Sequence, residues 1–508
     1  MLNLTPVLRP WFARRVRASH GWYTSEAIRD TQLKILEHLL HQAANTEYGT
    51  AHNFERLRKY TNYAAEVQPA AYPEYRALIE RMVHGEPDIL WPGVCRRFAQ
   101  SSGTSDGKSK FIPVTDDSLN HNHYKGAADV VAHYLHLNPE SKIFSGKSFI
   151  LGGSFANEIK DLPPGVKVGD LSANLIDHIN PAANLLRVPD KDVALMTDWT
   201  KKLPALVEAS LHEDITNISG VPSWFLTVLR KVISRAGANT IHDVWPNLEV
   251  FFHGGIAFGP YREQYRAITD PSKMHYLETY NASEGFFAVQ DCIDNTGMLL
   301  LLDCGVFYEF IPAELSDSPD ARPIPAWEVE QGRIYEMIIT SCNGLWRYRI
   351  GDTVKIQSTA PLRITIAGRT KSFINAFGEE LMVHNADAAI SEACRKTGAA
   401  VLNYTAAPVY DDGGHRGRHQ WLIEWATAPH SVEEFADILD IELQRQNSDY
   451  QAKRSGNIFL DRLSIVTARH GLFDEWLAST GKLGGQRKVP RLSNSRQIID
   501  TLLKYNEN

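Results

Sequence analysis

The ten residues from Ser101 to Lys110 place the strongest constraint on the fold of this chain. They read Ser-Ser-Gly-Thr-Ser-Asp-Gly-Lys-Ser-Lys and combine hydroxyls, glycines and ammonium groups. Glycine lets backbone N–H groups turn toward an anion, and hydroxyls and lysine add donors and positive charge. This composition is typical of a loop that holds a phosphate. Only three residues separate Gly103 from Gly107, whereas a Walker A loop has four.

The flanks of this loop predict extended strands. Residues 96–100 and 111–115 are rich in β-forming side chains, and Pro113 opposes a helix that starts there. A strand–loop–strand arrangement differs from the helix-opening loops of kinases and GTPases, and it favours an enzyme that binds ATP across a hairpin. The alternative is an ordinary surface turn, because serine, glycine, threonine and aspartate are common turn residues. The segment alone leaves both interpretations open.

Length and charge limit the class of protein. The 508 residues exceed the roughly 250–300 that a single core supports, so at least two domains are expected. A formal net charge of -7 gives no basic surface for nucleic acid. The sequence has no run of about 18 apolar residues and no signal-peptide pattern, so we expect no membrane association and a cytoplasmic location. Five scattered cysteines without C-x-x-C spacing fit reduced thiols.

Apolar periodicity predicts a large N-terminal α/β lobe. An amphipathic helix is expected over Thr31–Ala44, another over Ser118–Leu137, and a buried strand over residues 143–153. The histidines of the second helix lack a clear third ligand, so hydrogen-bonded or solvent-facing histidines are preferred to a metal site. Residues 286–356 alternate strand runs with polar turns, which predicts an antiparallel or barrel-like portion.

The sequence texture changes after Gly368-Arg369. Helix 384–396, strand 419–425 and helix 432–446 predict a small α+β lobe. We therefore expect a large N-terminal domain over residues 1–368 and a small mobile C-terminal domain over residues 369–508.

Two predicted strands end in residues suited to a nucleotide. Strand 248–252 runs into Gly254, and strand 273–280 runs into Tyr280-Asn-Ala-Ser283-Glu284. Open α/β sheets bind ligands at the carboxyl ends of their strands. An aromatic face can stack on adenine, a hydroxyl can bind phosphate, and a carboxylate can hold Mg²⁺. Taken singly, Tyr280 is more often a core tyrosine and Glu284 a solvated acid.

Three later segments extend the pattern. Residues 346–352 predict a strand that ends in Gly-Asp, and Asp352 is placed to accept ribose hydroxyls, although Gly-Asp turns are common. Arg369 lies at the predicted domain junction, where a hinge or an incidental linker arginine are the alternatives. Residues 481–491 form a glycine-rich basic segment whose lysine is suited to neutralise phosphoryl charge, or else is a solvated tail.

Together these segments resemble the adenylate-forming superfamily of acyl-activating enzymes and, more closely, the auxin-responsive Gretchen Hagen family of acyl acid–amido synthetases. That family's phosphate motif, S-S-G-T-S-x-G-x-x-K, matches Ser101–Lys110 at every fixed position. Its Y-x-x-S-E motif matches Tyr280–Glu284, and Y-R-x-G-D matches Tyr348–Asp352. The order and spacing agree along essentially the full chain. The first motif is quite specific, and the others gain strength in combination.

The resemblance implies a role for each matching residue. Lys488, in Gln-Arg-Lys-Val-Pro-Arg, is similar to the family's Q-Y-K-T-P-R lysine, whereas Lys482 resembles the Gly-Lys of the wider superfamily; we prefer Lys488 as the catalytic lysine. Glu284 is implied as the Mg²⁺ ligand. Implied ATP contacts are Ser101, Ser102, Gly103, Thr104, Ser105, Lys110, Gly254, Tyr280, Ser283, Asp352 and Arg369.

The expected reaction is ATP-dependent activation of a carboxylic acid followed by transfer to an amine, with an amino acid as the expected acceptor. The hinge region Arg369–Glu380 is closer to the general superfamily than to the plant members, which leaves the acceptor open. The alternatives are an acyl-coenzyme A ligase and a non-catalytic nucleotide-binding regulator. Trp224, Phe225, Leu226 and Leu229 either line an apolar acid pocket or pack in the core.

Overall fold

The computed structural model describes most of the chain. It covers residues 3–101, 110–155, 159, 161–256, 258, 261–293, 297–316, 318, 321–369, 373–410, 416–457, 459–479 and 489–507. No helix among these residues combines the length and apolarity needed to cross a bilayer.

The part of the chain up to residue 369 carries most of the helices. They are α1 (Thr5–Ser19), α2 (Ser25–Ala43), α3 (Glu47–Ala51), α4 (Tyr60–Glu66), α5 (Tyr72–Val83), α6 (Tyr124–Leu137), α7 (Leu171–His178), α8 (Pro181–Leu185), α9 (Lys191–Ala194), α10 (Trp199–Ser210), α11 (Pro222–Ala236) and α12 (Arg262–Ile268). Helix α2 begins earlier than its apolar pattern indicated, because the Thr24 hydroxyl accepts a hydrogen bond from Ala27 N (3.2 Å) and caps the helix. A π-helical turn, Ser118–His123, precedes α6.

Fifteen strands lie in the same part of the chain. They are β1 (Arg97–Ser101), β2 (Lys110–Pro113), β3 (Lys147–Ile150), β4 (Lys167–Gly169), β5 (Arg187–Val188), β6 (Ile215–Gly220), β7 (Val250–His253), β8 (His275–Ala282), β9 (Gly285–Gln290), β10 (Met298–Leu300), β11 (Val306–Pro312), β12 (Ile324–Pro325), β13 (Ile334–Ser341), β14 (Leu345–Thr359) and β15 (Leu362–Arg369).

Twelve of these strands form one mixed sheet. Its order is β12-β11-β13-β14-β15-β10-β9-β8-β7-β6-β3-β5. Pairing is parallel from β5 to β8 and antiparallel from β8 to β12. The α/β class and the antiparallel portion expected for residues 286–356 are therefore confirmed. A second sheet, β2-β1-β4, contains the antiparallel β1–β2 pair, which confirms the strands predicted on both sides of the phosphate loop.

Two strand predictions were wrong. Residues 143–153 are not one strand: Ile143–Ser145 form a 3₁₀ turn, and β3 starts only after Gly146, where the backbone passes so close to Asp214 that a side chain would clash. The strand before Asp352 does not end there. It continues as β14, because Gly351 adopts φ +88° and a bulge lets the strand keep its pairing on both sides.

The C-terminal part is a separate α+β arrangement. Its helices are α13 (Val383–Thr397), α14 (Val432–Gln446), α15 (Ser448–Arg454), α16 (Leu472–Ser479) and α17 (Gln497–Glu507). Its strands are β16 (Phe373–Ile374), β17 (Leu381–Met382), β18 (Ala400–Tyr410), β19 (Gly417–Thr427) and β20 (Ser464–Ala468), with β18-β19-β20 as a sheet. The predicted helices and the strand at 419–425 are present, whereas β18 and β20 were missed.

A fully buried ion pair fixes the N-terminal helices to the large sheet. Arg347 on β14 makes two hydrogen bonds to the Glu309 carboxylate on β11, at 2.8 and 2.9 Å, and both side chains are at most 3% exposed. Arg347 also donates to the carbonyls of Ala64 (2.9 Å) and Val67 (2.7 Å) at the end of α4. Tyr60 OH donates to Glu309 at 2.8 Å. These hydrogen bonds offset the loss of hydration that burial imposes on the Arg347 and Glu309 charges.

Removing one partner of this pair should strongly destabilise the protein. We expect Glu309→Ala to lower the free energy of unfolding by about 3–5 kcal/mol, because Arg347 keeps a buried charge without its counterion. Urea denaturation followed by circular dichroism measures this change. The control is Glu314→Ala, which breaks the exposed Arg333–Glu314 pair and should have a much smaller effect. Equal shifts in the two variants would contradict a stabilising role for the buried pair.

Candidate functional site

The candidate site lies where β7 and β8 end. Gly254 directly follows β7 and lies against β8, since a Cβ at this position would be 2.5 Å from Thr279 O. Only glycine permits this close approach of the two backbones. The carboxyl end of β7 therefore reaches the segment that carries Tyr280.

Tyr280 and Asp352 are joined directly, although 72 positions separate them in the sequence. Tyr280 OH donates a hydrogen bond of 2.6 Å to Asp352 Oδ2, and the two residues are 4% and 7% exposed. The Tyr280 ring also packs edge-on against Phe287, at 5.0 Å between centroids. Asp352 lies in the β14 bulge and is the cross-strand partner of Arg369 on β15. Residues from three predicted segments thus meet at one place.

Ser283 and Glu284 form the turn between β8 and β9. Ala282 pairs with Gly285, so these two residues are the whole loop. Glu284 is 8% exposed, and its carbonyl accepts a hydrogen bond from Asn343 Nδ2 at 3.0 Å. The alternative interpretation of Glu284 as a solvated surface acid is therefore not observed. The Asn343 contact was missed from the sequence, where Asn343-Gly344 reads only as a hairpin turn.

The base of the predicted phosphate loop is defined by Ser101 and Lys110. These residues are cross-strand partners at the ends of β1 and β2. Ser101 Oγ donates to Glu380 Oε2 at 3.4 Å, which connects the loop base to the C-terminal part. Lys110 Nζ lies 6.0 Å from the Tyr72 ring centroid. The loop residues Ser102, Gly103, Thr104 and Ser105 lie outside the described residues.

The predicted catalytic lysines belong to another part of the chain that the structure does not describe. Lys482 and Lys488 both lie outside the described residues, and Arg369 is placed by its backbone alone. Within the large sheet, the structure places Gly254 against β8, joins Tyr280 to Asp352 and puts Ser283 and Glu284 in the turn that follows β8. Ser101 and Lys110 lie on the second sheet.

The two parts of the chain also meet through aromatic contacts. Phe459 is 3% exposed and belongs to the core of the N-terminal part, edge-on to Trp199 at 5.1 Å. Lys453 Nζ lies 3.7 Å from the centroid of Trp224, and Lys453 is 2% exposed. Trp224 thus faces the C-terminal part, whereas Phe225, Leu226 and Leu229 pack in the core. This agrees with the core-packing alternative for those three residues.

Two buried histidines surround the ends of β7 and β8. Burial lowers the pKa of His123 to about 4 and that of His253 to about 3. The nearby Asn281 amide favours protonated His123 and so partly opposes this lowering of its pKa. The amide lies outside hydrogen-bond geometry, and both ring nitrogens of His123 have no hydrogen-bond partner among the described residues. His253 stacks on Phe258 at 4.1 Å. Both imidazoles are therefore neutral at pH 7 and add no charge to the site.

The chemistry of the site fits Mg²⁺ bound together with a nucleotide. The Glu284 carboxylate is of the hard oxygen type, and Mg²⁺ typically binds one or two carboxylates together with substrate phosphates. The one cluster of potential metal ligands among the described residues, Asp129, Asp303 and Cys304, does not fit. Arg15 donates to both carboxylates at 2.7–3.2 Å and Lys125 lies 3.1 Å from Asp303, so protein cations already neutralise that cluster.

Family and structure comparisons agree with this organisation. The family model described as GH3 family N-terminal domain matches residues 23–274. The family models of the GH3 central domain and the GH3 C-terminal domain match residues 299–369 and 384–497. The indole-3-acetic acid-amido synthetase GH3.3 of Arabidopsis thaliana is 22% identical, with 93% of this chain and 90% of the relative covered. GH3.8 of Oryza sativa subsp. indica, of the same description, is 24% identical, with 93% and 89% covered.

Two solved structures share the fold. The AtGH3.15 acyl acid amido synthetase in complex with 2,4-DB has a TM-score of 0.61 at 17% identity, with 97% of this chain and 95% of that chain covered. A 2-hydroxyisobutyryl-CoA ligase in the thioesterification state has a TM-score of 0.58 at 13% identity, with 96% and 93% covered. The expected fold, a large α/β part followed by a small α+β part, is therefore confirmed.

The buried histidines predict that stability falls in acid. Unfolded histidine binds a proton near pH 6.5, whereas folded His123 does so only near pH 4, so the unfolded state binds more protons between these values. His123 alone should remove about 3 kcal/mol of stability as the pH falls from above 6.5 to 4. Urea denaturation across this range should show a flatter pH dependence for His123→Gln. The exposed His41→Gln variant is the control, and a profile of His123→Gln that matches wild type would refute the assignment.

Proposed function

Because this chain belongs to the GH3 family, we propose that it is an ATP-dependent synthetase that activates a carboxylic acid as an acyl-adenylate and transfers the acyl group to an amine. An amino acid is the proposed acceptor. Relatives that match nearly the full chain are amido synthetases by name, which supports amide formation. The observation that carries the proposal is the buried Tyr280–Asp352 hydrogen bond beside the Ser283–Glu284 turn, because it groups the residues needed for a nucleotide.

In the proposed first half-reaction, the acid carboxylate attacks the α-phosphorus of ATP and pyrophosphate leaves. Tyr280 and Gly254 contact the adenine side, while Asp352 and Arg369 bind the ribose. Ser283 lies near the α-phosphate. Fixed donors aimed at developing charge lower the barrier without reorganising during the reaction.

The remaining roles in this step concern the phosphates. Ser101, Ser102, Gly103, Thr104, Ser105 and Lys110 hold the phosphates of ATP. Glu284 would hold Mg²⁺, which would supply positive charge at the phosphate oxygens. Lys488, with Lys482 as the alternative, neutralises the phosphoryl charge from the C-terminal part.

In the proposed second half-reaction, the amine attacks the acyl carbonyl and AMP leaves. We propose that residues 1–368 and 369–508 are the two domains and that the smaller one rotates about Gly368–Arg369 between the half-reactions. Such a rotation allows one site to serve two chemistries in turn. The Ser101–Glu380 contact crosses this boundary next to the phosphate loop, which supports coupling of domain position to the site. We further propose a cytoplasmic location, supported by five free cysteines.

An acid and acceptor screen tests this proposal. Purified protein is given ATP, Mg²⁺ and a panel of aryl and alkyl acids, and acid-dependent exchange of pyrophosphate into ATP is measured first. Amino acids or coenzyme A are then added, and conjugates are identified by mass spectrometry. We expect exchange with at least one acid and an amide product. Thioester formation without amide would establish the acyl-coenzyme A ligase instead, and ATP binding without exchange would support a regulator.

The Tyr280 hydroxyl should contribute to ATP affinity through the ribose. We expect Tyr280→Phe to weaken ATP binding about tenfold, because Asp352 loses a hydrogen bond of the charged type. Isothermal titration calorimetry with ATP and with 2′-deoxy-ATP separates the causes. If Asp352 binds the ribose hydroxyls, Tyr280→Phe should lose most of the preference for ATP over 2′-deoxy-ATP. The core variant Tyr308→Phe is the control, and equal losses for the two nucleotides in Tyr280→Phe would contradict this role.

A further inference from the structure

The turn that carries Glu284 is not supported by its own geometry. Two-residue hairpin loops usually adopt primed turns, which place at least the first loop residue at positive φ. Neither Ser283 nor Glu284 adopts positive φ, and β8 has a register irregularity between Tyr280 and Asn281. The turn therefore lacks the geometry usual for a two-residue hairpin loop, and contacts from outside the hairpin can help to hold Glu284.

Asn343 provides one such contact. Its Nδ2 donates to the Glu284 carbonyl at 3.0 Å, and Asn343 is 1% exposed. Its Oδ1 contacts the Ser341 hydroxyl, which is equally buried. Asn343 is itself fixed, because its turn joins β13 to β14 and is anchored by a hydrogen bond of 2.7 Å from Thr115 Oγ1 to Cys342 O.

Asn122 holds the other side of the turn. Its Oδ1 accepts from Phe286 N at 2.6 Å, and its Nδ2 donates to Phe286 O at 3.0 Å and to Cys304 O at 2.8 Å. Gly285 leaves room for this amide, since a Cβ there would be 3.2 Å from Asn122 Oδ1 and 2.7 Å from the Phe287 ring. The first two residues of β9 are therefore packed against a fixed amide.

We propose that Asn343 is a positioning residue that sets the Glu284 carboxylate for a divalent cation on the nucleotide phosphates. The inference rests on the proposed function and adds a residue outside the motifs. The amide acts at one atom, the Glu284 carbonyl, and fixes the backbone from which the carboxylate projects. Groups one step removed from a metal orient its ligands, and their loss commonly costs about 10–100-fold in metal affinity.

Direct metal binding tests this role. Mn²⁺, which substitutes for Mg²⁺ and is visible by electron paramagnetic resonance, is titrated into protein saturated with ATP and given no acid. We expect Asn343→Ala to weaken Mn²⁺ binding about tenfold. ATP binding measured by calorimetry in EDTA should be unchanged, because the nucleotide contacts remain. A purely structural role would lower both affinities together.

A matched control and a milder variant complete the design. Asn385 is also 1% exposed and also bridges backbone groups, with Nδ2 donating to Gln446 O at 2.9 Å, so Asn385→Ala should leave Mn²⁺ binding unchanged. Ser341→Ala removes only the hydroxyl that contacts Asn343, and it should shift Mn²⁺ affinity less but in the same direction. It serves if Asn343→Ala does not fold.

The outcomes separate this inference from the proposed function. Suppose that Glu284→Gln has lost Mn²⁺ binding. The positioning role of Asn343 is then overturned if Asn343→Ala binds Mn²⁺ as tightly as the wild type. If Asn343→Ala does not fold, wild-type Mn²⁺ affinity in a folded Ser341→Ala overturns the role instead. Retained binding in Glu284→Gln also overturns it, while acid-dependent pyrophosphate exchange by the wild type would still support the synthetase. A wild type without exchange overturns the proposed function itself.

Discussion

The structure depends on the two pairing modes of β8. Along its first half, His275–Glu278 pair in parallel with β7, and along its second half, Thr279–Ala282 pair antiparallel with β9. A parallel neighbour requires a long crossover, whereas an antiparallel one permits a tight turn. Both meet on this strand, so Gly254 at the open end of β7 lies against Thr279, four positions before the Ser283–Glu284 turn. The candidate site lies where the pairing of the sheet changes, and its residues are placed by backbone hydrogen bonds on both sides.

Local sequence signals were sufficient where the structure depends on near neighbours. The β1–β2 hairpin, α14 and the strands before Gly254 and Tyr280 follow from short-range patterns. The path of β14 through Asp352 does not follow from short-range patterns, because it requires a bulge that pairing with β13 and β15 holds in place. β18 and β20 were missed as well. Their pairing with β19 brings together residues far apart in the chain.

The motifs named the residues of the site but not what fixes them. Tyr280 was predicted as an adenine contact. Its hydroxyl also donates a hydrogen bond to Asp352, and no local sequence pattern predicts this contact. Asn343 is 59 positions from Glu284 and belongs to an unremarkable hairpin turn. Asn122 lies 164 positions from Phe286. Long-range amide contacts of this kind depend on how the strands are ordered, so they appear only in the folded chain.

The position of Phe459 has an energetic consequence for the proposed rotation of the C-terminal domain. This side chain comes from that part of the chain, yet it is buried among Trp199, Trp224 and their neighbours in the opposite core. Rotation would withdraw it into water, at a cost of about 1.5–3 kcal/mol for a phenylalanine. A free-energy difference of that size corresponds to a population ratio of about 10 to 150. The resting enzyme would then be biased toward the docked arrangement, and occupancy of the active site would have to supply the energy for the alternative one.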